Sequence, residues 1–415
     1  MAPRAVQFGA GSIGRGFIGA LLAQSGYHVT FADINQSIID TINREKNYHI
    51  HILLPDGAET TTSSGTDISG CNSSDDKIID EIAKASIITT AVGPDILKYI
   101  APVLARGFSE KRAQRQQVRA TSKTLGEEVG HVNVFACENR MGASTLLKQY
   151  VLQNLKDEHD QRYVEQYVGF PNCSVDRIVP LPDQARQASR VGHRTLDVDA
   201  ESFYEWIVER SALIGNPPFP LPIKGMRFTD RLEAYVERKL FTLNTGHAMA
   251  AYLGYLKGYE TIAESIHDNR ISGGVQHAMQ ESGVALVRKH NFDPDEHAMY
   301  IDSIIDRFRN PHLKDECVRV GREPLRKLGR NDRFIGPAQL CRDYGLPNRN
   351  LCRGIAAVFR YDNEDDPQSV ELMQWIKRDG VEKVAIELTG WSEDDVEIGY
   401  IMWNYKDLEK LQRSA

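Results

Sequence analysis

The chain has no C-x-x-C pair, no apolar run as long as a membrane span and no excess of positive charge, and each lack removes a class of function. Its six cysteines, Cys71, Cys137, Cys173, Cys317, Cys341 and Cys352, are scattered over 415 residues. A disulfide framework is therefore not expected, and a reduced, cytoplasmic setting is. A membrane-spanning helix needs about 20 consecutive apolar residues, and none is present. There is no charged leader before an apolar segment at the N-terminus. Instead Ala5-Val6-Gln7-Phe8 runs straight into a glycine turn, as the first strand of the fold would. A net charge of −7 speaks against nucleic acid, which needs a broad basic surface. It also means that an anionic substrate would need cations gathered locally. No internal repeat is visible, and no ligand cluster has the spacing of a zinc site.

What is present begins as alternating strands and helices, the pattern of βαβ units. Ala5 to Phe8 reads as a strand, Gly14 to Ser25 as a helix, and His28 to Ala32 as a second strand ending at Asp33. Ser37 to Arg44 has helical apolar spacing at Ile38, Ile39 and Ile42. Ala85 to Val92 is a β-branched run stopped by Gly93-Pro94. Val132 to Cys137 reads as a further buried strand, ending at Glu138-Asn139. The polar stretch Ser109 to Gly130, with Lys111, Arg112, Arg115, Arg119 and Lys123, lacks interleaved aromatics and reads as a solvated helix and loop. Residues 216–222 carry four prolines in six positions, which exclude helix and stiffen the backbone. Beyond them helical periodicity dominates. The expected fold is α/β, with an N-terminal Rossmann-type dinucleotide-binding domain over 1–220 and a mostly α-helical substrate-binding and catalytic domain over 221–415.

The turn itself is Gly9-Ala10-Gly11-Ser12-Ile13-Gly14, a G-x-G-x-x-G between strand and helix. Gly9 allows the tight turn, Gly11 lets a pyrophosphate approach the backbone, and Gly14 lets helix and strand pack closely. Amides at the helix start, aided by the helix dipole, suit phosphate. Asp33 closes the next strand at the distance where a carboxylate binds both adenosine ribose hydroxyls and repels a 2′-phosphate, which favours NAD over NADP. Val92, Gly93 and Pro94 would lie at the same sheet edge.

After the proline segment comes Glu237-Arg238-Lys239-Leu240-Phe241-Thr242-Leu243-Asn244-Thr245-Gly246-His247. K-x4-N-x2-H in a helical second domain resembles the signature of the polyol-specific long-chain dehydrogenases. FGAGSIGRGFIG and ERKLFTLNTGHA are similar to the branch of that family acting on mannitol 1-phosphate. So are FADINQ (31–36), TTAVGP (89–94), ACEN (136–139), VDRIVP (175–180), RVGREPLRKL (319–328) and YGLPNRNL (344–351). The resemblance implies reversible, NAD-dependent interconversion of D-mannitol 1-phosphate and D-fructose 6-phosphate by a monomer without metal. A dehydrogenase of a free polyol or hexuronate is the alternative within the family, and a non-catalytic NAD-binding sensor is one outside it.

The chemistry follows from the residue types. A metal-free alcohol oxidation needs a base and donors aimed at the developing alkoxide. Lys239 can be that base if burial and a cationic nicotinamide lower its pKa from about 10.4. Asn244 and Asn139 can donate amide protons, His247 can bond the substrate oxygen or a neighbouring hydroxyl, and Asp176 can bind a hydroxyl or orient Lys239. On an ideal helix Lys239, Asn244 and His247 fall within an arc of about 140°. Arg319, Arg322, Arg326 and Lys327 gather four cations. If the stretch is helical the three arginines share one face, although Pro324 also permits two short pieces. The resemblance places Arg319 and Lys327 on the open-chain sugar, leaving Arg322 and Arg326 to grip a phosphate.

Overall fold

The computed structural model describes residues 2–57, 59–63, 67–121, 131–180 and 194–412. It divides into two compact units, Met1–Leu54 with Ala58–Leu232, and Pro55–Gly57 with Glu233–Ala415.

The first unit is built on a parallel sheet. Its strands are β1 (Arg4–Phe8), β2 (His28–Asp33), β5 (Ile68–Asn72), β6 (Ile87–Thr90), β7 (Val132–Ala136) and β8 (Val168–Gly169), in the order β5-β2-β1-β6-β7-β8. Successive side chains point to opposite faces, so Ala5, Ile87 and Phe135 join one apolar cluster and Val6, Ile88 and Val134 the other. Both faces are covered, as a parallel sheet requires. Strand order reverses between β1 and β6, which opens a crevice at their carboxyl ends. Two small sheets complete the unit. One contains β3 (His49–Leu53), β4 (Glu59–Ser63) and β10 (Val198–Ala200), and the other β9 (Cys173–Asp176), β11 (Glu205–Glu209) and β12 (Met226–Thr229). The sequence gives no sign of either.

The proline segment is part of this unit's surface. Asn133 Nδ2 donates to Ile214 O and Pro218 O, and Tyr27 Oη donates to Leu221 O at 2.6 Å. β12 then pairs with β11 from Met226↔Trp206 to Thr229↔Glu209. The compact unit thus runs past 220 to Leu232.

The helix Leu97–Thr121 corrects the reading of 109–121 as a solvated face. Lys111 is buried and donates to Ala83 O and Ala85 O, both at 2.8 Å. Burial, reinforced by repulsion from Arg115, pushes its amine down to about 8. Arg112 pairs with Asp160 and Asp157, and the Arg115 guanidinium lies 3.7 Å from the Tyr167 ring centroid. The Arg119 side chain and Lys123 lie outside the described residues.

The second unit is helical apart from an isolated Thr261↔Glu316 bridge, among the described residues. Its core helices include Thr245–Leu256, Asn269–His290, Pro294–Phe308 and Arg349–Val358. No helix among the described residues is long and apolar enough to cross a membrane.

Candidate active site

In the first unit the glycine turn is built as its sequence requires. Gly9 has φ +89°, and a Cβ there would lie 2.4 Å from Ala91 O. A Cβ on Gly14 would lie 2.0 Å from Gly9 O, whereas one on Gly11 would meet nothing within 4 Å. Only Gly11 faces open space, and it is the position expected to admit a phosphate. The helix behind the turn opens with a π turn, Gly14–Ile18, before the α-helix Gly19–Gln24. Arg15 is buried beneath the turn, its guanidinium donating to Ala10 O and Leu196 O.

Asp33 is anchored through both oxygens. Oδ2 accepts from Ala10 N at 2.8 Å and Oδ1 from Asn35 N at 2.9 Å. A carboxylate has about four acceptor sites, so two remain for a ligand. A cavity of about 550 Å³ lies beside it, lined among others by Gly9, Gly11, Asp33, Ile34, Val92 and Tyr99. Gly93 has φ +97°, and Pro94 begins the short helix Pro94–Ile96. Glu138, which the sequence reading passed over for its neighbour, holds this loop. Its Oε1 accepts from Thr90 Oγ1 at 2.6 Å and Val92 N at 3.1 Å, and its Oε2 from Gly93 N at 2.9 Å. Asn139 is exposed just beyond it, and Asp176 is buried at the end of β9.

In the second unit, Lys239 and Asn244 are the first and last residues of a π turn, Lys239–Asn244. This departs from the ideal helix, on which residues five apart stand about 140° from each other. A π turn bonds i to i+5 and brings the two positions onto one side. Two buried hydroxyls serve the displaced carbonyls. Thr245 Oγ1 lies 3.1 Å from Leu240 O, and Ser282 Oγ donates to Phe241 O at 2.7 Å. The preceding residues are also fastened. Glu237 bonds Lys289 and His290, and the Arg238 guanidinium sits over Tyr300, Tyr235 and Phe292. Lys239 itself is half-buried.

His247 stacks on Phe308 with ring centroids 4.8 Å apart, and its Nε2 lies 2.6 Å from Asp315 Oδ2. Asp315 Oδ1 accepts from the Arg319 guanidinium. One buried carboxylate thereby orients two of the expected site residues. Burial alone would raise the Asp315 carboxyl, but His247 and Arg319 together hold it below its ordinary value. Backbone bonds from Ile262 N to Asp315 O and from Cys317 N to Glu260 O, both 2.8 Å, fix the loop carrying it.

The basic stretch does not present one helical face. Helices Cys317–Gly321 and Pro324–Lys327 are separated by Arg322 and by Glu323, whose φ is +60°. Arg326 bonds Glu323 at 2.7 Å and lies 3.8 Å from Asp332, while Arg322 Nε donates to Arg319 O. Lys327 is buried, and desolvation followed by repulsion from Arg333 and Arg326 pushes its amine to about 7. A larger open cavity beside the 314–318 loop is bordered by Glu264 and Asp268. Glu264 is spent on a capping box and Asp268 on an N-cap and Lys257. Among the described residues, no three His, Cys, Asp or Glu side chains converge as metal ligands would.

Comparison with known proteins agrees with this architecture. The family described as the mannitol dehydrogenase Rossmann domain matches residues 3–220, and the mannitol dehydrogenase C-terminal domain matches residues 231–388. A solved D-sorbitol dehydrogenase in substrate-free form superposes with TM-score 0.79 at 16% identity, covering 99% of this chain and 94% of that one. Mannitol 2-dehydrogenase of Pseudomonas fluorescens, solved with NAD and D-mannitol, gives TM-score 0.72 at 16% identity, covering 100% of this chain and 93% of that one. With a Rossmann unit and a helical C-terminal unit that both match, the chain belongs to the mannitol dehydrogenase family, within the polyol-specific long-chain dehydrogenases.

Proposed function

We propose that the chain is an NAD-dependent dehydrogenase that oxidises a secondary hydroxyl of a polyol and reduces the matching ketose, using a lysine base in place of a metal. The observation that supports the reading is the π turn that has Lys239 and Asn244 as its first and last residues, followed three residues later by a His247 bonded to Asp315. Bound NAD supplies the hydride acceptor. The 550 Å³ cavity suits its adenosine end: Asp33 offers two remaining acceptor sites to ribose hydroxyls, and the exposed Ile34 and Tyr99 give apolar walls to a planar base. The turn from Gly9 to Gly14 receives the pyrophosphate at Gly11, whose backbone faces open space, and Val92 lines the same cavity, with Gly93 and Pro94 following it in the loop. Lys239, as the neutral amine, takes the hydroxyl proton. Asn244 and Asn139 donate to the oxygen as charge builds there. His247 has Nε2 turned to Asp315, which leaves Nδ1 for a substrate hydroxyl, and Asp176, Arg319 and Lys327 bind further hydroxyls.

A free polyol or hexuronate is the substrate class favoured by the pairing of Arg319 with Asp315 and of Arg326 with Glu323 and Asp332, which balances those charges within the chain. The second reading, D-mannitol 1-phosphate and D-fructose 6-phosphate, is favoured by Arg322, which has no ion pair among the described residues and whose Nε donates to Arg319 O. NADH oxidation with fructose and with fructose 6-phosphate separates the two, and NADPH should be used poorly with either. If the phosphate is recognised, Arg322→Ala or Arg326→Ala raises the KM for fructose 6-phosphate about 10- to 100-fold, the worth of one charge-assisted hydrogen bond, and leaves fructose unaffected. Equal losses on both ketoses would remove the phosphate reading. Lack of turnover with every ketose despite NADH binding would favour a sensor.

Glu138→Gln offers a test on the cofactor side. An amide has one acceptor oxygen where the carboxylate has two, so one of the bonds to Thr90, Val92 or Gly93 is lost. NADH affinity, followed by fluorescence titration, should weaken about 10-fold, the cost of one buried unmade bond. Unchanged affinity would mean that the loop keeps its shape unaided.

A further inference from the structure

The first unit holds two thiols in contact that the proposed chemistry does not use. Cys137 is buried just beyond β7, and the half-buried Cys173 opens β9, yet their sulfurs lie 3.9 Å apart across two sheets. Cys173 Sγ also lies 3.7 Å from Ala136 O, while the other cysteines face oxygen and no second sulfur: Cys71 faces Asn72 O, Cys317 faces Ser265 Oγ, Cys341 faces Glu281 O and Cys352 faces Asn348 Oδ1.

We propose that Cys137 and Cys173 are an oxidation site, which hydrogen peroxide converts to a disulfide with loss of dehydrogenase activity. Cys173, the more accessible thiol, attacks the peroxide. The O–O bond breaks, one oxygen stays on sulfur as sulfenic acid, and the other leaves as water. Cys137 then attacks the Cys173 sulfur, so that S–S forms, S–O breaks and a second water departs with the remaining protons. Two thiols lose two electrons and the peroxide gains them. Burial pushes the Cys137 thiol up, which makes it the less ready of the two to attack the peroxide first.

A disulfide needs its sulfurs about 2.0 Å apart, so the present gap must close by roughly half. Both residues stand at strand ends, where the backbone yields most easily. Cys137 N donates to Thr90 O at 3.0 Å, and the next residue is the clamp Glu138. Drawing Cys137 toward β9 therefore loads the 90–93 loop and Asn139. The loss of activity rests on the dehydrogenase reading, whereas the cross-link does not.

The test treats the purified protein with hydrogen peroxide, blocks remaining thiols, and maps unreduced peptides by mass spectrometry beside NADH-oxidation assays. A linked Cys137–Cys173 peptide should appear while activity falls about 100-fold, as an ångström-scale displacement can cause, and dithiothreitol should restore both. Cys173→Ser should keep its activity under peroxide. No linked peptide, under conditions that oxidise the exposed Met299, would overturn the site. A complete cross-link with full activity would overturn the control. If no ketose is turned over even before oxidation, the dehydrogenase reading fails separately. NADH affinity then becomes the readout, and no change on cross-linking overturns the coupling.

Discussion

Lys239→Ala should lower kcat with the preferred ketose on the order of 10²- to 10⁴-fold, the usual contribution of a positioned general base. NADH affinity should stay near that of the wild type, because the glycine turn, Asp33 and the Glu138 clamp all belong to the first unit. The alanine leaves the π turn in place, since that turn is maintained by Thr245, Ser282 and the anchored Glu237 and Arg238. Circular dichroism and a thermal melt should therefore match the wild type. A small added primary amine offers a second readout, because partial rescue with a pH dependence set by the amine is expected only of a missing base. An alanine variant with full turnover would move the chemistry elsewhere.

The second large effect is expected at Asp315. Asp315→Asn leaves the shape of the side chain but withdraws the charge that His247 and Arg319 share. Each bond to a charged group contributes about 1.5–3 kcal/mol, so kcat/KM should fall at least about 10- to 100-fold while NADH affinity is unaffected. Stability should fall as well, because removing one partner of a buried pair strands the other. The sign with pH follows from the lowered carboxyl. Stabilisation by Asp315 is complete above its ordinary value of 3.8 and is lost as the pH falls through the lower folded-state value. The difference in Tm between wild type and Asp315→Asn should therefore be present at pH 5 and shrink in strong acid. Equal Tm and kcat/KM in both proteins would show that His247 and Arg319 are oriented by something else.

The sequence revealed what is encoded locally and concealed what depends on distant partners. The glycine turn was legible because strand, turn and helix requirements meet within a few neighbouring residues, and Asp33 because its distance from them is set by one helix and one strand. Four strands of the parallel sheet, β1, β2, β6 and β7, were legible from their apolar runs, whereas β5 and β8 were not. The small sheets were not, since β9, β11 and β12 are short and pair across intervening chain. Glu138 stands next to a residue that was singled out, yet its meaning comes from Thr90, 48 positions away. Asp315 acts through His247 at a separation of 68. The π turn leaves no mark on apolar periodicity, and one of its supports, Ser282, lies 41 residues from the carbonyl that it serves. Pro324 did signal the break in the basic stretch. The pairing of Arg326 could not be foreseen, because Glu323 and Asp332 look like ordinary surface charges until their geometry is known.

The two backbone amides on Asp33 bear on any attempt to redesign coenzyme choice. A neutral or basic residue at 33 would remove the repulsion of a 2′-phosphate, but it would also release Ala10 N and Asn35 N, the first of which lies inside the phosphate-binding turn. Such a variant would lose grip on both dinucleotides before it gained preference for one. Conversion would need a new acceptor for Ala10 supplied from elsewhere, so that selectivity and loop architecture are changed together.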